Sequence, residues 1–263
     1  MRKLPALILT AVLTQGSGFD DHGTIFIHAG FTAEGPKADL WSFDVASRTW
    51  SQLPDAPGLP RGGAGLVFTQ DRLYRFGGCD DKEEIGGYVD VLHLAVSTFD
   101  DKGGKGELAL TPRTGEWHSF QVPHGDSPGG RSVAGLQPVT TGQGRNYLVL
   151  FLGEKQPSSS FETAGKFWDD VWSYQIKPDG MTAASFKDAT RYLFGAKDQE
   201  GMWARVGVPE GSKSQGIVQG PGGRGWFASS QGQDLGAGSI VLWGGLKEDN
   251  TRAGDGWILT VDA

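Results

Sequence analysis

The stretch Ile240-Val241-Leu242-Trp243-Gly244-Gly245, followed by Asp255-Gly256-Trp257-Ile258-Leu259, decides the fold. A short apolar run that ends in paired glycines is typical of a buried strand stopping at a tight turn, because glycine allows backbone angles that a side chain forbids. The aspartate then opens a second stretch in which aromatic and aliphatic residues follow one another. Together the two stretches predict neighbouring β-strands.

The same order occurs in three earlier segments of the chain, so the unit is a repeat. Apolar strands ending at glycine lie at 25–30, 73–78 and 147–153, and strands opened by aspartate lie at 39–43, 90–94 and 170–174. A fourth strand carrying a tryptophan follows at 49–53, 116–120 and 202–206. Turns with Pro-Arg or Gly-Arg open three of the repeats, at 60–65, 130–135 and 223–228.

This order of glycine pair, aspartate strand and tryptophan strand resembles the Kelch repeat, whose blades are four-stranded antiparallel sheets. The resemblance implies an all-β Kelch β-propeller. We expect about four blades, at 24–54, 60–120, 128–206 and 221–263, preceded by an N-terminal segment of 1–23. Within the insertion 176–202, the spacing of Phe186, Ala189 and Leu193 predicts one short helix.

The ends of the repeat array do not match each other, since a tryptophan strand is missing after the last aspartate strand. The sequence therefore predicts a truncated form of a six-bladed propeller. Residues 5–13 would supply either an inner strand or the closing strand, and a homodimer would cover the open edges.

Composition excludes several classes of protein. The 263 residues include 42 glycines, 13 prolines and 9 tryptophans, without a collagen period, which indicates a turn-rich globular chain. A net charge of -7 without a basic run argues against a nucleic-acid partner. No stretch has the length and apolar character of a membrane helix, so no membrane partner is expected.

Localisation is read from the cysteine content and the first residues. The single Cys79 cannot form an internal disulfide, which favours the cytoplasm. Residues 1–18 also have the charged start and apolar run of a signal peptide, so secretion is the alternative.

The opening arginines Arg61, Arg131 and Arg224 are the candidate ligand-binding residues. In a meander the blade-opening turns lie on one face, where guanidinium groups can bind a carboxylate, sulfate or phosphate. The alternative is that each arginine fixes its own turn by donating to backbone carbonyls.

The segments opened by these arginines are similar to blade openings of the plant nitrile-specifier, epithiospecifier and thiocyanate-forming proteins. That resemblance implies binding of a small anionic, sulfur-containing molecule and a role in sulfur compound metabolism with Fe²⁺. Glu84, Asp90 and His93 supply the residue types of the family's iron site, but their spacing departs from the family pattern. The alternative for these three residues is a solvated loop beside a surface histidine.

The second functional hypothesis is a protein–protein interaction scaffold without catalysis, which is a common role of Kelch repeats. The fold is compatible with either hypothesis. An enzyme of this kind would be an iron-dependent lyase or isomerase, and the sequence does not decide whether there is one.

Overall fold

The computed structural model describes residues 10–14, 23–45, 47–99, 107–122, 127–141, 144–158, 163–176, 201–207, 220–232 and 238–261. Every regular element within these ranges is a β-strand, so the all-β prediction is confirmed. The helix expected in the insertion 176–202 lies outside the described residues. Within the described part, no helix is long and apolar enough to cross a membrane.

The first compact unit comprises residues 1–83 and 88–121 and holds two four-stranded antiparallel sheets. The first sheet consists of β1 (Thr10–Thr14), β2 (Thr24–Thr32), β3 (Gly35–Asp44) and β4 (Thr49–Leu53), in that order. The second sheet consists of β5 (Gly65–Thr69), β6 (Arg72–Phe76), β7 (Tyr88–Phe99) and β8 (Glu107–Gln121). The pairing of β7 with β8 continues past a register shift at Leu92/Leu94 as far as Phe99 and Glu107.

The second unit comprises residues 84–87 and 122–263. Its four-stranded sheet contains β9 (Gly135–Thr140), β10 (Asn146–Phe151), β13 (Val171–Ile176) and β14 (Trp203–Arg205). Its three-stranded sheet contains β16 (Ala228–Gln231), β17 (Ser239–Trp243) and β19 (Gly256–Thr260). Two short ribbons pair β11 (Glu154–Gln156) with β12 (Lys166–Phe167), and β15 (Arg224–Gly225) with β18 (Leu246–Lys247).

Strands that follow one another along each sheet-forming segment are also neighbours in its sheet. Such an antiparallel meander is the blade of a β-propeller, and the repeat predicted this order. The predicted fold class is therefore confirmed. The Asp-opened strand is third in all four sheets, and the tryptophan strand is fourth in the three four-stranded sheets.

The core of the first unit lies between its two sheets. Phe26, Leu40 and Leu73 are fully buried there, and the rings of Phe26 and Phe68 stack with centroids 5.9 Å apart. Trp117, the tryptophan of the second sheet, donates from Nε1 to the carbonyl of Pro54 at 3.0 Å. These contacts bury one face of each sheet against the other.

The core of the second unit is built in the same way. Val149 and Phe151 of the first of its sheets pack with Ile240 and Leu242 of the last sheet. The ring of Phe151 stacks on Phe227 at 5.5 Å between centroids. The unit therefore repeats the sheet-on-sheet packing of the first unit.

The backbone angles at the end of the second strand explain why glycine is common there. Both residues of the pair have positive φ in every repeat, for example 75° and 102° at Gly77 and Gly78. Ala29 and Leu152 occupy the first position of the pair in two repeats, with φ of 54° and 57°. Two successive residues with positive φ turn the chain sharply at the end of the second strand.

Candidate functional site

The three opening arginines begin a local structure that is the same in each of their three repeats. The residue after each arginine pairs with the residue after the corresponding glycine pair, as Gly62 with Cys79, Ser132 with Glu154 and Gly225 with Leu246. Each arginine also donates from a terminal nitrogen to the carbonyl of the first position of that pair, namely Gly77, Leu152 or Gly244. These backbone contacts match the alternative in which the arginine fixes its turn.

The side chain of Arg131 is buried and ion-paired within the second unit. Its side chain is 0% exposed and forms a two-pronged ion pair with Asp170, with nitrogen–oxygen distances of 2.6 and 3.2 Å. The guanidinium lies 5.0 Å from the ring centroid of Trp168. Burial opposes ionisation of Asp170, but the hydrogen bonds and charge of Arg131 outweigh it and lower the pKa of that carboxyl.

Arg224 repeats this arrangement in the last sheet. Its NH1 and NH2 nitrogens lie 2.6 and 3.3 Å from the carboxylate oxygens of Asp255. Hydrogen bonds from Arg224 and from the indole of Trp257 hold the pKa of Asp255 well below its usual range. Asp255 differs from Asp170 in exposure, since 40% of its side chain is open to solvent.

Arg61 is the exception among the three. It donates from Nε to Leu59 O at 2.9 Å and from NH1 to Gly77 O at 3.2 Å. Among the described residues no carboxylate lies within ion-pair distance of it. Burial, reinforced by the charge of Arg75, lowers the pKa of Arg61 to about 10. The group is a buried cation whose charge is only partly offset, chiefly by the more distant Asp90 and Asp80.

Asp90, the aspartate of the same repeat as Arg61, forms its ion pair with Arg75 instead. Arg75 lies directly opposite it in the β6–β7 register and binds its Oδ2 from Nε and NH2 at 3.0 and 2.6 Å. The other oxygen of Asp90 accepts from Ser119 at 2.6 Å. Sequence analysis missed Arg75, although an arginine inside an apolar strand is itself a sign of a buried ion pair.

His28 completes this cluster as a neutral group. Its Nδ1 lies 3.0 Å from Asp39 O and its Nε2 lies 3.3 Å from Arg75 NH1. A carbonyl only accepts and an arginine only donates, so the proton sits on Nδ1. Burial, together with Arg75, lowers the pKa of His28 to about 4, so the ring carries no charge at neutral pH.

The three residues predicted to bind iron have contacts that do not fit such a site. Asp90 and His93 lie three positions apart on β7, where the strand period directs their side chains to opposite faces. His93 accepts from Arg72 at 3.3 Å within the first unit, and Glu84 accepts from Ser132 at 3.0 Å within the second unit. Among the described residues no three His, Cys, Asp or Glu side chains gather closely enough to hold a metal ion. We derive no step through iron.

A buried acid that sequence analysis did not single out lies beside Arg131's turn. Glu154 is 4% exposed, and its Oε1 has no hydrogen-bond partner among the described residues. Burial raises its pKa to about 7, while a hydrogen bond from the backbone of Ser158 acts in the opposite direction. Its position directly after the glycine pair is the only sequence signal for it.

No family model matches the chain. Among solved structures, the chain is similar to one titled "Structure of YjhT", at 14% sequence identity and a TM-score of 0.45. The likeness covers 95% of this chain and 81% of the other.

Proposed function

We propose that this chain is a binding protein whose ligand is a small anion held at Arg61. The observation that carries the proposal is the unequal pairing of the three opening arginines. Arg131 and Arg224 each have a carboxylate partner, whereas the guanidinium of Arg61 has only carbonyl partners among the described residues. Arg61 also keeps 7% of its surface exposed, against 1% for each of the other two.

The charge balance of the first unit supports the same conclusion. Arg61 and Arg75 are two buried cations, and His28 is neutral. Within the described part of the unit, Asp90 is the one buried carboxylate bonded to either arginine. An anion on Arg61 would offset the remaining charge through charge-assisted hydrogen bonds, which are stronger than neutral ones. The guanidinium fork suits the planar or tetrahedral oxygens of a carboxylate, sulfate or phosphate.

The resemblance of the opening segments to the nitrile-specifier group suggests which anion to test first. Proteins of that group handle sulfated, sulfur-containing molecules, so an oxyanion of sulfur is the preferred candidate. The proposal is restricted to binding, since the contacts of Glu84, Asp90 and His93 support no iron-dependent step.

The test is calorimetric titration of the whole chain with inorganic sulfate at low ionic strength. We expect saturable binding that weakens at least about tenfold in Arg61→Gln, because the charge-assisted bonds are lost. Arg48→Gln is the matched control, since it removes the same charge from an exposed turn of the same unit. Equal sulfate binding by both variants, with folding verified by circular dichroism, would exclude Arg61 as the ligand-binding residue.

A scaffold function has one observation in its favour. Two large apolar side chains are exposed next to opening arginines, Leu59 at 58% and Trp226 at 38%. Exposed aromatic and aliphatic groups at loops are typical anchors of protein partners. Capture of a partner that depends on Leu59 or Trp226 but not on Arg61 would favour this function over anion binding.

A further inference from the structure

One terminal nitrogen of Arg61, NH2, differs in its contacts from the same atom of the other two opening arginines. NH2 of Arg131 donates to Asp170 at 3.2 Å. NH2 of Arg224 donates to Asp255 at 3.3 Å. NH2 of Arg61 donates to no acceptor among the described residues, yet it is not one of the fully buried polar atoms that lack a partner there. This nitrogen is therefore the part of the guanidinium that a ligand can reach.

Gly58 lies beside this nitrogen. A Cβ added to Gly58 would lie 2.9 Å from NH2 of Arg61, which is closer than Cβ atoms approach other heavy atoms in proteins. Hydrogen bonds fix the residues on both sides of Gly58. Pro57 O accepts from Arg75 at 2.5 Å, and Leu59 O accepts from Nε of Arg61 at 2.9 Å. The backbone at residue 58 is thus held against the guanidinium, and the missing side chain leaves NH2 uncovered.

Arg61 has little freedom to move away from a side chain at residue 58. Its Nε and NH1 are bonded to the carbonyls of Leu59 and Gly77. Its Cδ and Cγ lie 2.9 and 3.1 Å from the point that a Cβ of Gly78 would occupy, so the aliphatic part of the side chain packs against that glycine. A shift of the guanidinium would lengthen buried hydrogen bonds, which is unfavourable. A side chain at residue 58 would therefore cover NH2 rather than displace it.

We propose that Gly58 is a specificity-determining residue of the anion site, because it admits a ligand oxygen to NH2 of Arg61. This inference rests on the proposed function of Arg61 and adds the side from which the anion approaches. At Arg131 and Arg224, NH2 binds one oxygen of a carboxylate whose other oxygen binds NH1. An oxyanion such as sulfate has two oxygens that match the same fork at Arg61.

The test is calorimetric titration of the whole chain with inorganic sulfate. We expect Gly58→Ala to weaken binding about tenfold, because the added Cβ removes the charge-assisted bond to NH2. The φ of 77° at Gly58 also favours glycine, so backbone strain has to be controlled. Gly35→Ala is the control, since Gly35 has a φ of 116° in the same unit and nothing lies within 4 Å of its added Cβ. An equal loss of sulfate binding in Gly35→Ala would overturn the role of Gly58.

A second background shows whether Gly58 acts through the NH2 atom. Arg61→Lys keeps the positive charge but has no forked head group, so it should bind sulfate more weakly than the wild type does. Adding Gly58→Ala to Arg61→Lys should change the affinity by less than about twofold, because the two substitutions remove the same contact. An equal weakening by Gly58→Ala in both backgrounds would show that residue 58 acts independently of NH2, and would overturn the proposal.

The variants separate the two proposals from each other. If Arg61→Gln and Arg61→Lys bind sulfate as tightly as the wild type, the proposed function of Arg61 is wrong. If both bind it more weakly while Gly58→Ala binds like the wild type, only the role of Gly58 is excluded. Should Gly58→Ala fold poorly by circular dichroism, Gly58→Asn makes the same comparison, since asparagine adopts positive φ more readily and still carries a Cβ.

Discussion

The aspartate of the repeat accepts a hydrogen bond from the indole two residues later in three of the four sheets. The Nε1–Oδ2 distances are 2.9 Å for Trp41 and Asp39, 2.7 Å for Trp172 and Asp170, and 2.8 Å for Trp257 and Asp255. Asp90 has no such tryptophan, and Ser119 donates to it instead. The arginine that pairs with this aspartate also differs between sheets. Asp90 pairs with Arg75 of a strand, whereas Asp170 and Asp255 pair with the opening arginines Arg131 and Arg224.

The two ion pairs of the second unit should differ in their contribution to stability. Asp170→Ala leaves Arg131 as an unpaired charge that is fully buried, which costs about 3–5 kcal/mol. Asp255→Ala should cost less, because the side chain of Asp255 is 40% exposed and water can replace it. Denaturant unfolding measures both losses. An equal effect of the two substitutions would show that burial does not set the strength of these pairs.

Two buried groups should give stability opposite dependences on pH. The folded pKa of His28 is about 4, against 6.5 ordinarily, so its contribution is present above pH 6.5 and is lost as the pH falls to about 4. The pKa of Glu154 is raised from 4.5 to about 7, so its contribution grows as the pH falls from about 7 to 4.5. In the wild type the two effects oppose each other over most of this window.

Single substitutions separate these effects. Glu154→Gln should unmask the acid loss of His28, which amounts to about 3 kcal/mol in total. His28→Gln should leave a protein that becomes more stable on acidification from pH 7 to 4.5, with Glu154 as the cause. Urea unfolding at a series of pH values gives both slopes. The same slope in the two variants would contradict the assignment.

At the scale of the elements, the sequence predicted the strands better than their side-chain partners. The glycine pair and the following aspartate marked two strands in every repeat, because backbone angles and apolar runs are local properties. Which side chains meet across two strands depends on the register of those strands, and a single sequence does not reveal that register. Thus Arg75 faces Asp90 across β6 and β7, a pairing that the sequence analysis did not predict, and the strand period separates Asp90 from His93. The anion site at Arg61 stays a prediction, whereas the contacts of Glu84, Asp90 and His93, which depend on register, do not fit an iron site.

A close contact between β9 and β10 provides a test of the blade structure. A Cβ added at Gly135 would lie 2.2 Å from Cζ of Phe151, whose ring packs on Phe227 in the core. Gly135→Ala should therefore destabilise the protein by about 1–3 kcal/mol, as overpacking does in other cores. Gly254→Ala, where no atom lies within 4 Å of the added Cβ, should change the free energy of unfolding little. Equal effects would show that Phe151 has room to move.

At the scale of the whole molecule, the buried and the exposed faces of the sheets carry similar apolar residues but have different surroundings. Phe26, Leu40, Ile240 and Leu242 are at most 4% exposed, while Trp50 and Trp243 are more than half exposed. Burial of apolar area contributes roughly 25 cal/mol per Å², so covering these tryptophans would be favourable. The same residue type therefore stabilises the fold where a second sheet covers it and contributes little where it lies open to solvent.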